Sequence, residues 1–360
     1  MSSSFSTTNP AQKSEHTLAV LDDYLSLSET HFSSLPIGVS YFPSTLHAEH
    51  DTAALVARLQ PYNMISSMRE RTAFPATILA QLPNLKLLLT TGVRNASIDM
   101  SCCKERGIVV AGTKGTRHGE TGAPPPGYAS TTQHALSLLL ALTSRVAVDD
   151  AVLKNTGGWQ SGPAIALAGK TLGVVGLGKL GGAMARSCIL GLGMRCVAWS
   201  ASLTPQKVRE VCDELGLPEG SIACVGKEEL FAQADVVSVH YVLSQRSRGI
   251  VGREDIAKMK SSAILVNTAR GPLVDEDALF EALDQGRIYG AALDVYWGRE
   301  PLEPDSRWRT TPWGRDGRAQ VVLSPHMGYV NKDTMETWYA EQAADVRRFI
   351  EGQEVGLRLA

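Results

Sequence analysis

No apolar run in the sequence approaches the length of a membrane span, so no bilayer partner is expected. The formal net charge is only −2, which gives no electrostatic reason to expect nucleic acid or an acidic surface as a partner. The six cysteines (Cys102, Cys103, Cys188, Cys196, Cys212 and Cys224) form neither a CxxC pair nor a ligand cluster. That excludes the usual sequence signs of a metal site or a disulfide framework. Free, packed thiols in a reducing compartment are expected, with the cytoplasm as location. The opening stretch MSSSFSTTNPAQKSEH has no apolar core of the signal-peptide kind and reads as a disordered tail, residues 1–16.

What is present is a full globular core. The chain has 360 residues, 44% hydrophobic and 20% charged, which suits two domains of ordinary size. Short apolar strands alternate with helical stretches along most of the length, the pattern of parallel sheets covered on both faces. Candidate strands in the first half are Leu18–Tyr24, Ile37–Phe42, Tyr62–Met68, Leu85–Leu89 and a run ending at Gly112. Residues 113–130, with three consecutive prolines, read as an extended surface loop. A single long helix is expected over Thr131–Asn155, then a second series of strands from about Lys170, and a closing helix over Asp333–Gly352.

The stretch GKTLGVVGLGKLG organises the second series. A strand runs into Gly176, Leu177, Gly178, Lys179, Leu180 and Gly181, and a helix follows. The first glycine permits a tight turn, the second lets backbone approach a pyrophosphate, and the third allows close helix–strand packing. Helix-start amides then face the phosphates. A glycine-rich turn alone is weak, but the strand–loop–helix order supports dinucleotide binding. Three ionisable residues stand after later strands of the series: Arg270 in VNTARGPLVDE, Glu300 in GREPLEPD, and His326 in LSPHMGY. Singly, each reads as an ordinary surface or strand-end residue. Together, at the strand ends where open α/β sheets bind ligands, they suggest an active site.

With LPNLKLLLTTGVRN in the first half and GAALDVY in the second, these motifs resemble the D-isomer-specific 2-hydroxyacid dehydrogenases, in their phosphoglycerate dehydrogenase-like branch. The likeness runs from about Leu18 to the last helix. It implies two doubly wound parallel-sheet domains, one flavodoxin-like for substrate (17–140 and 328–360) and one Rossmann for NAD(P) (141–327), with the active site in the cleft between them. It implies reduction of a 2-keto acid to a D-2-hydroxy acid by NAD(P)H and the reverse reaction. His326 would be the general acid, Glu300 would orient its imidazole, and Arg270 would anchor the carboxylate and polarise the carbonyl. The amides of Thr91 and Gly92 would hold the other side of the carboxylate.

The resemblance also places Thr268, Ala269 and Asp294 near the nicotinamide and His240, Tyr241 and Val242 on the adenosine side, and counts Ser200, Ala201, Ser202, His326 and Gly328 among the cofactor-binding residues. A homodimer and a small-molecule substrate follow from it. Besides the Pro-rich insertion at 113–130, which has no counterpart in shorter members, two departures stand out. Thirty positions separate Arg270 from Glu300, one more than the family's usual spacing, so plain counting lands on Arg299. The second strand of the nucleotide unit ends Trp199-Ser200-Ala201-Ser202 without the acid that NAD-specific members carry there. NADP is therefore favoured over NAD, with Lys207 and Arg209 nearby as cations. The alternative to an enzyme is a nucleotide-sensing, corepressor-like interaction protein on the same fold. Formate dehydrogenase, a third reading, has Gln where Glu300 stands.

Overall fold

A computed structural model describes residues 15–115 and 128–360. All but the end of the expected tail, and most of the Pro-rich stretch, lie outside the described residues. The chain divides into two compact units, Met1–Glu120 with Lys332–Ala360, and Thr121–Asn331.

The first unit is a five-stranded sheet of β1 (Thr17–Leu21), β2 (Gly38–Phe42), β3 (Met64–Ser67), β4 (Leu87–Thr90) and β5 (Val109–Ala111). Its order is β2-β1-β3-β4-β5, with every pair parallel. This is the flavodoxin-like order, whose switch point lies between β1 and β3. The final residues cover the β5 edge, since Leu359 N–H donates to Val110 O at 2.7 Å. An open strand edge would otherwise present unpaired amides.

The second unit holds seven parallel strands: β6 (Thr171–Val175), β7 (Arg195–Trp199), β8 (Ile222–Cys224), β9 (Val236–Val239), β10 (Ile264–Asn267), β11 (Gly290–Leu293) and β12 (Gln320–Leu323). They are ordered β12-β11-β10-β9-β6-β7-β8. The order reverses between β6 and β9, so the strand ends there face a crevice flanked by helices going opposite ways. β6, β9, β10 and β11 are buried along their whole length, which explains their nearly continuous apolar sequences.

Two differences from the sequence expectation have physical causes. The long helix over Thr131–Asn155 is two helices, Ser130–Thr143 and Val146–Asn155. Arg145 between them is left-handed at φ 58°, and its Nε donates to Ser161 Oγ at 3.0 Å. The first of these helices buries Ala135, Leu138, Leu139 and Leu142 in one cluster with Val174, Met184 and Val266. It therefore packs with the nucleotide-type sheet, so residues 128–140 belong to the second unit where the first is expected, and the later junction falls at 331/332 where 327/328 is expected. β8 is an element that the sequence reading leaves unassigned.

Leu265 in β10 is fully buried. Leu265→Ala should lower the stability of the second unit by about 2–5 kcal/mol, read as a shifted urea midpoint of its unfolding.

Candidate active site

Glycine geometry shapes the turn after β6. Gly176 has φ 99°, and a Cβ there would lie 3.0 Å from the His240 carbonyl carbon. A Cβ on Gly181 would lie 2.1 Å from Gly176 O, so helix and turn touch backbone to backbone. Nothing lies within 4 Å of a Cβ placed on Gly178. That glycine caps the helix Lys179–Leu192 without any side-chain hydrogen bond, leaving helix-start amides open. An open space over open amides fits a pyrophosphate.

At the neighbouring strand ends, Trp199 stacks on Tyr241 with ring centroids 6.2 Å apart. The Tyr241 hydroxyl accepts from Ala201 N–H at 2.8 Å. Lys207 Nζ donates to Ser202 O at 3.0 Å, whereas Arg209 turns to Gln206 Oε1 at 2.6 Å. Leu203 N–H donates to Ser200 O at 3.1 Å, which closes the turn. Val242 is exposed, and its carbonyl accepts from Ser247 Oγ at 2.7 Å. The buried Thr268 hydroxyl has no hydrogen-bond partner among the described residues. A buried orphan hydroxyl after β10 fits a site that a polar ligand completes.

Glu300, and not Arg299, meets His326. Its Oε2 accepts from His326 Nδ1, and its Oε1 accepts from Tyr296 N–H at 3.0 Å. Arg299 instead pairs with Glu303 at 3.0 Å, so the loop absorbs the extra residue. Gly271 brings Arg270 against the same loop: a Cβ there would lie 2.1 Å from Tyr296 O. Arg270 Nη1 donates to Ala269 O at 2.7 Å, and Ala269 N–H donates to Asn267 Oδ1 at 3.1 Å. The Tyr296 hydroxyl, donating to Ser324 O at 2.9 Å, ties this loop to the end of β12.

His326 itself is left-handed, φ 56°. The two residues after it are held by Asp294, whose Oδ1 accepts from Met327 N–H at 2.7 Å and whose Oδ2 accepts from Gly328 N–H at 2.8 Å. His134 Nε2 reaches the same carboxylate at 3.1 Å and lies 2.9 Å from Ser324 Oγ. Burial pushes the Asp294 carboxyl up, but these donors, His134 first, outweigh it and hold it below the ordinary range.

Thr91 and Gly92 lie in the other unit. Thr91 Oγ1 accepts from Arg69 N–H at 3.0 Å. The Gly92 amide, expected to face a substrate carboxylate, donates to Thr113 Oγ1 at 2.7 Å. Thr113 N–H answers it at Gly92 O, 3.0 Å. This donor is already committed within the first unit.

The model of the D-isomer specific 2-hydroxyacid dehydrogenase NAD-binding domain matches residues 136–328. The chain belongs to the D-isomer-specific 2-hydroxyacid dehydrogenase family. Among its relatives, the hydroxypyruvate reductase of Thermotoga maritima is 33% identical over 78% of this chain and 83% of its own length. The D-3-phosphoglycerate dehydrogenase of Mycobacterium bovis is 32% identical over 80% of this chain and 49% of its own. This dehydrogenase-family chain thus spans about half the length of that curated relative. A phosphoglycerate oxidoreductase from Vibrio cholerae superposes with a TM-score of 0.79 at 30% identity, covering 94% of this chain and 99% of that one.

Sequence reasoning missed His134 and Tyr296. His134 is a lone histidine on an apolar helix, and nothing in its spacing links it to Asp294. His240, expected on the adenosine side, shares a hydrogen bond at 2.8 Å with Ser238 Oγ, and burial lowers its pKa from 6.5 to about 4. Between those values the unfolded chain takes up a proton that the folded chain refuses. Stability from this group is therefore full above pH 6.5 and falls as pH drops toward 4. The residue keeps some accessible surface, so roughly 1–2 kcal/mol is expected. Urea midpoints at pH 7 and 4.5 should fall further for wild type than for His240→Gln.

Proposed function

We propose that the chain is an NAD(P)H-dependent oxidoreductase that reduces a 2-keto acid to a D-2-hydroxy acid and catalyses the reverse. The observation that carries this reading is the His326–Glu300 pair. Glu300 takes Nδ1–H, and a carboxylate only accepts, so the ring's orientation is set and Nε2 is left as the proton-transfer atom. A bound nicotinamide supplies the hydride. The residues of this chain do the rest.

His326 Nε2 gives its proton to the carbonyl oxygen as the carbonyl carbon is reduced, and takes it back in the oxidation. Nδ1 keeps its proton throughout and donates it to Glu300, whose carboxylate stabilises the positive ring. Arg270 anchors the substrate carboxylate and polarises the carbonyl, for which its fork of donors is suited. With the Gly92 amide engaged by Thr113, Arg270 is the main carboxylate anchor. The glycine turn Gly176–Gly181 receives the pyrophosphate. Thr268 and Ala269 flank the nicotinamide, and Asp294 supports that end through the amides of Met327 and Gly328. Tyr241 and Val242 line the adenosine side.

NADPH is the favoured cofactor. No acid repels a 2′-phosphate at Ser200–Ser202, and Lys207 is held at that turn by Ser202 O. A second copy of the chain is the proposed partner. The helix Val146–Asn155 buries none of its residues, and Val146, Leu153 and Trp159 are exposed by 60%, 53% and 75%. An apolar stripe of this kind is what a homodimer would cover.

Oxidation of NADPH and NADH should be followed with a panel of 2-keto acids from glyoxylate through hydroxypyruvate to phenylpyruvate. Wild type and Arg299→Ala should turn over, faster with NADPH. His326→Ala should lose about 10²-fold or more in kcat while cofactor binding persists. Tight cofactor binding without reduction of any acid would overturn the reading and favour a nucleotide-sensing interaction protein.

A further inference from the structure

We propose that His134 is a positioning residue for His326, acting through the buried carboxylate of Asp294. The proposal rests on the reading of His326 as the proton donor. His134 stands on the helix Ser130–Thr143, far from the strand-end motifs in sequence. Its Nε2 lies 3.1 Å from Asp294 Oδ1 and 2.9 Å from Ser324 Oγ. Asp294 is wholly buried and ionised, so it can only accept, and Nε2 must carry the proton. The carboxylate thus collects three donors: His134 Nε2–H and the amides of Met327 and Gly328. Those amides belong to the two residues that follow His326.

The loop needs such a clamp. At φ 56°, His326 adopts a backbone region that L residues with a Cβ avoid. Such conformations persist only where the surroundings over-determine them. Here the clamp acts from both sides of the residue. Ser324 O accepts from His326 N–H at 3.0 Å and from the Tyr296 hydroxyl at 2.9 Å. Asp294 holds the amides beyond. The helix presses directly on the clamped segment, because a Cβ on Gly328 would lie 3.0 Å from Asp294 Oδ2 and 3.3 Å from Thr131 Cγ2. Removing the His134 donor leaves a buried carboxylate under-satisfied, and it will draw its remaining donors, the loop amides included, toward itself. The imidazole then leaves the place where Nδ1 meets Glu300.

The test compares wild type with His134→Leu, His134→Asn and His134→Gln. A glutamine amide nitrogen can take the place of Nε2, whereas an asparagine amide is too short. One readout is steady-state NADPH oxidation with the best 2-keto acid of the panel. The other is the ¹⁵N-labelled imidazole of His326 in cofactor-free protein, assigned by its loss in His326→Gln. His134→Leu should lose about tenfold or more in kcat, as expected of a misplaced catalytic group, with KM for cofactor within about twofold of wild type. Its Nδ1–H signal should exchange with water at least about tenfold faster, since the displaced imidazole no longer keeps its bond to Glu300. His134→Gln should restore both. If the leucine protein does not fold, His134→Asn takes its place in the comparison. Wild-type behaviour of the leucine or asparagine protein in both readouts would overturn the proposal, as would equal losses in the glutamine protein. If wild type reduces no acid, the functional reading fails, and the imidazole signal alone decides the positioning role.

Discussion

Parallel pairing of β11 with β12 is the constraint on which the site depends. Its register sets Leu293 opposite Leu323, so Asp294 and Ser324 leave the sheet side by side. Each is anchored to the neighbouring strand: Asp294 N–H donates to Asn267 O at 3.0 Å and Ser324 N–H to Leu293 O at 2.9 Å. From that pair of residues, two loops diverge and meet again at Glu300 and His326. A one-residue slip would move every side chain of β12 to the opposite face and separate the loops. The position of the imidazole is thus inherited from a ladder of backbone hydrogen bonds.

A buried carboxylate at this junction is costly unless its acceptor sites are filled. Asp294 meets that condition with donors from two places in the chain: the helix carrying His134 and the loop beyond His326. The tie is local in space and distant in sequence. Tyr296 does the same on the other side, joining its own loop to Ser324 through the hydroxyl and to Glu300 through the amide. Gly271 then lets the Arg270 segment lie against Tyr296 with no side chain between. Together these contacts hold rigid what catalysis would need fixed, while the open amides above Gly178 stay free for a ligand.

Much of this was legible in the residues. Strand–helix alternation and the apolar strands predicted two parallel sheets, because a strand buried on both faces has no polar side to show. The glycine turn was legible because each glycine answers a steric demand. Other features depend on contacts that sequence spacing does not encode. The break at Arg145 comes at a left-handed residue bonded to a serine sixteen residues on, which helical periodicity does not reveal. Counting from Arg270 lands on Arg299, whereas the Glu300–Pro301 step of the motif points to Glu300, and in the folded loop Glu300 meets His326 while Arg299 pairs with Glu303. The bond between the Gly92 amide and Thr113 joins segments twenty-one residues apart and removes a donor that the motif suggested was open. His134 was silent for the same reason: its partner is one hundred and sixty residues away.

The central claim is that Glu300 and His326 act as one unit in proton transfer. A double-mutant cycle with Glu300→Gln, His326→Gln and both together, read in kcat for NADPH-dependent 2-keto acid reduction, tests it most directly. Residues that work as a unit are grossly non-additive. The double variant should be no slower than His326→Gln alone, since Glu300 has nothing to orient once the imidazole is gone. Losses that multiply across the two substitutions would contradict the account, and would mean that Glu300 serves the reaction apart from His326.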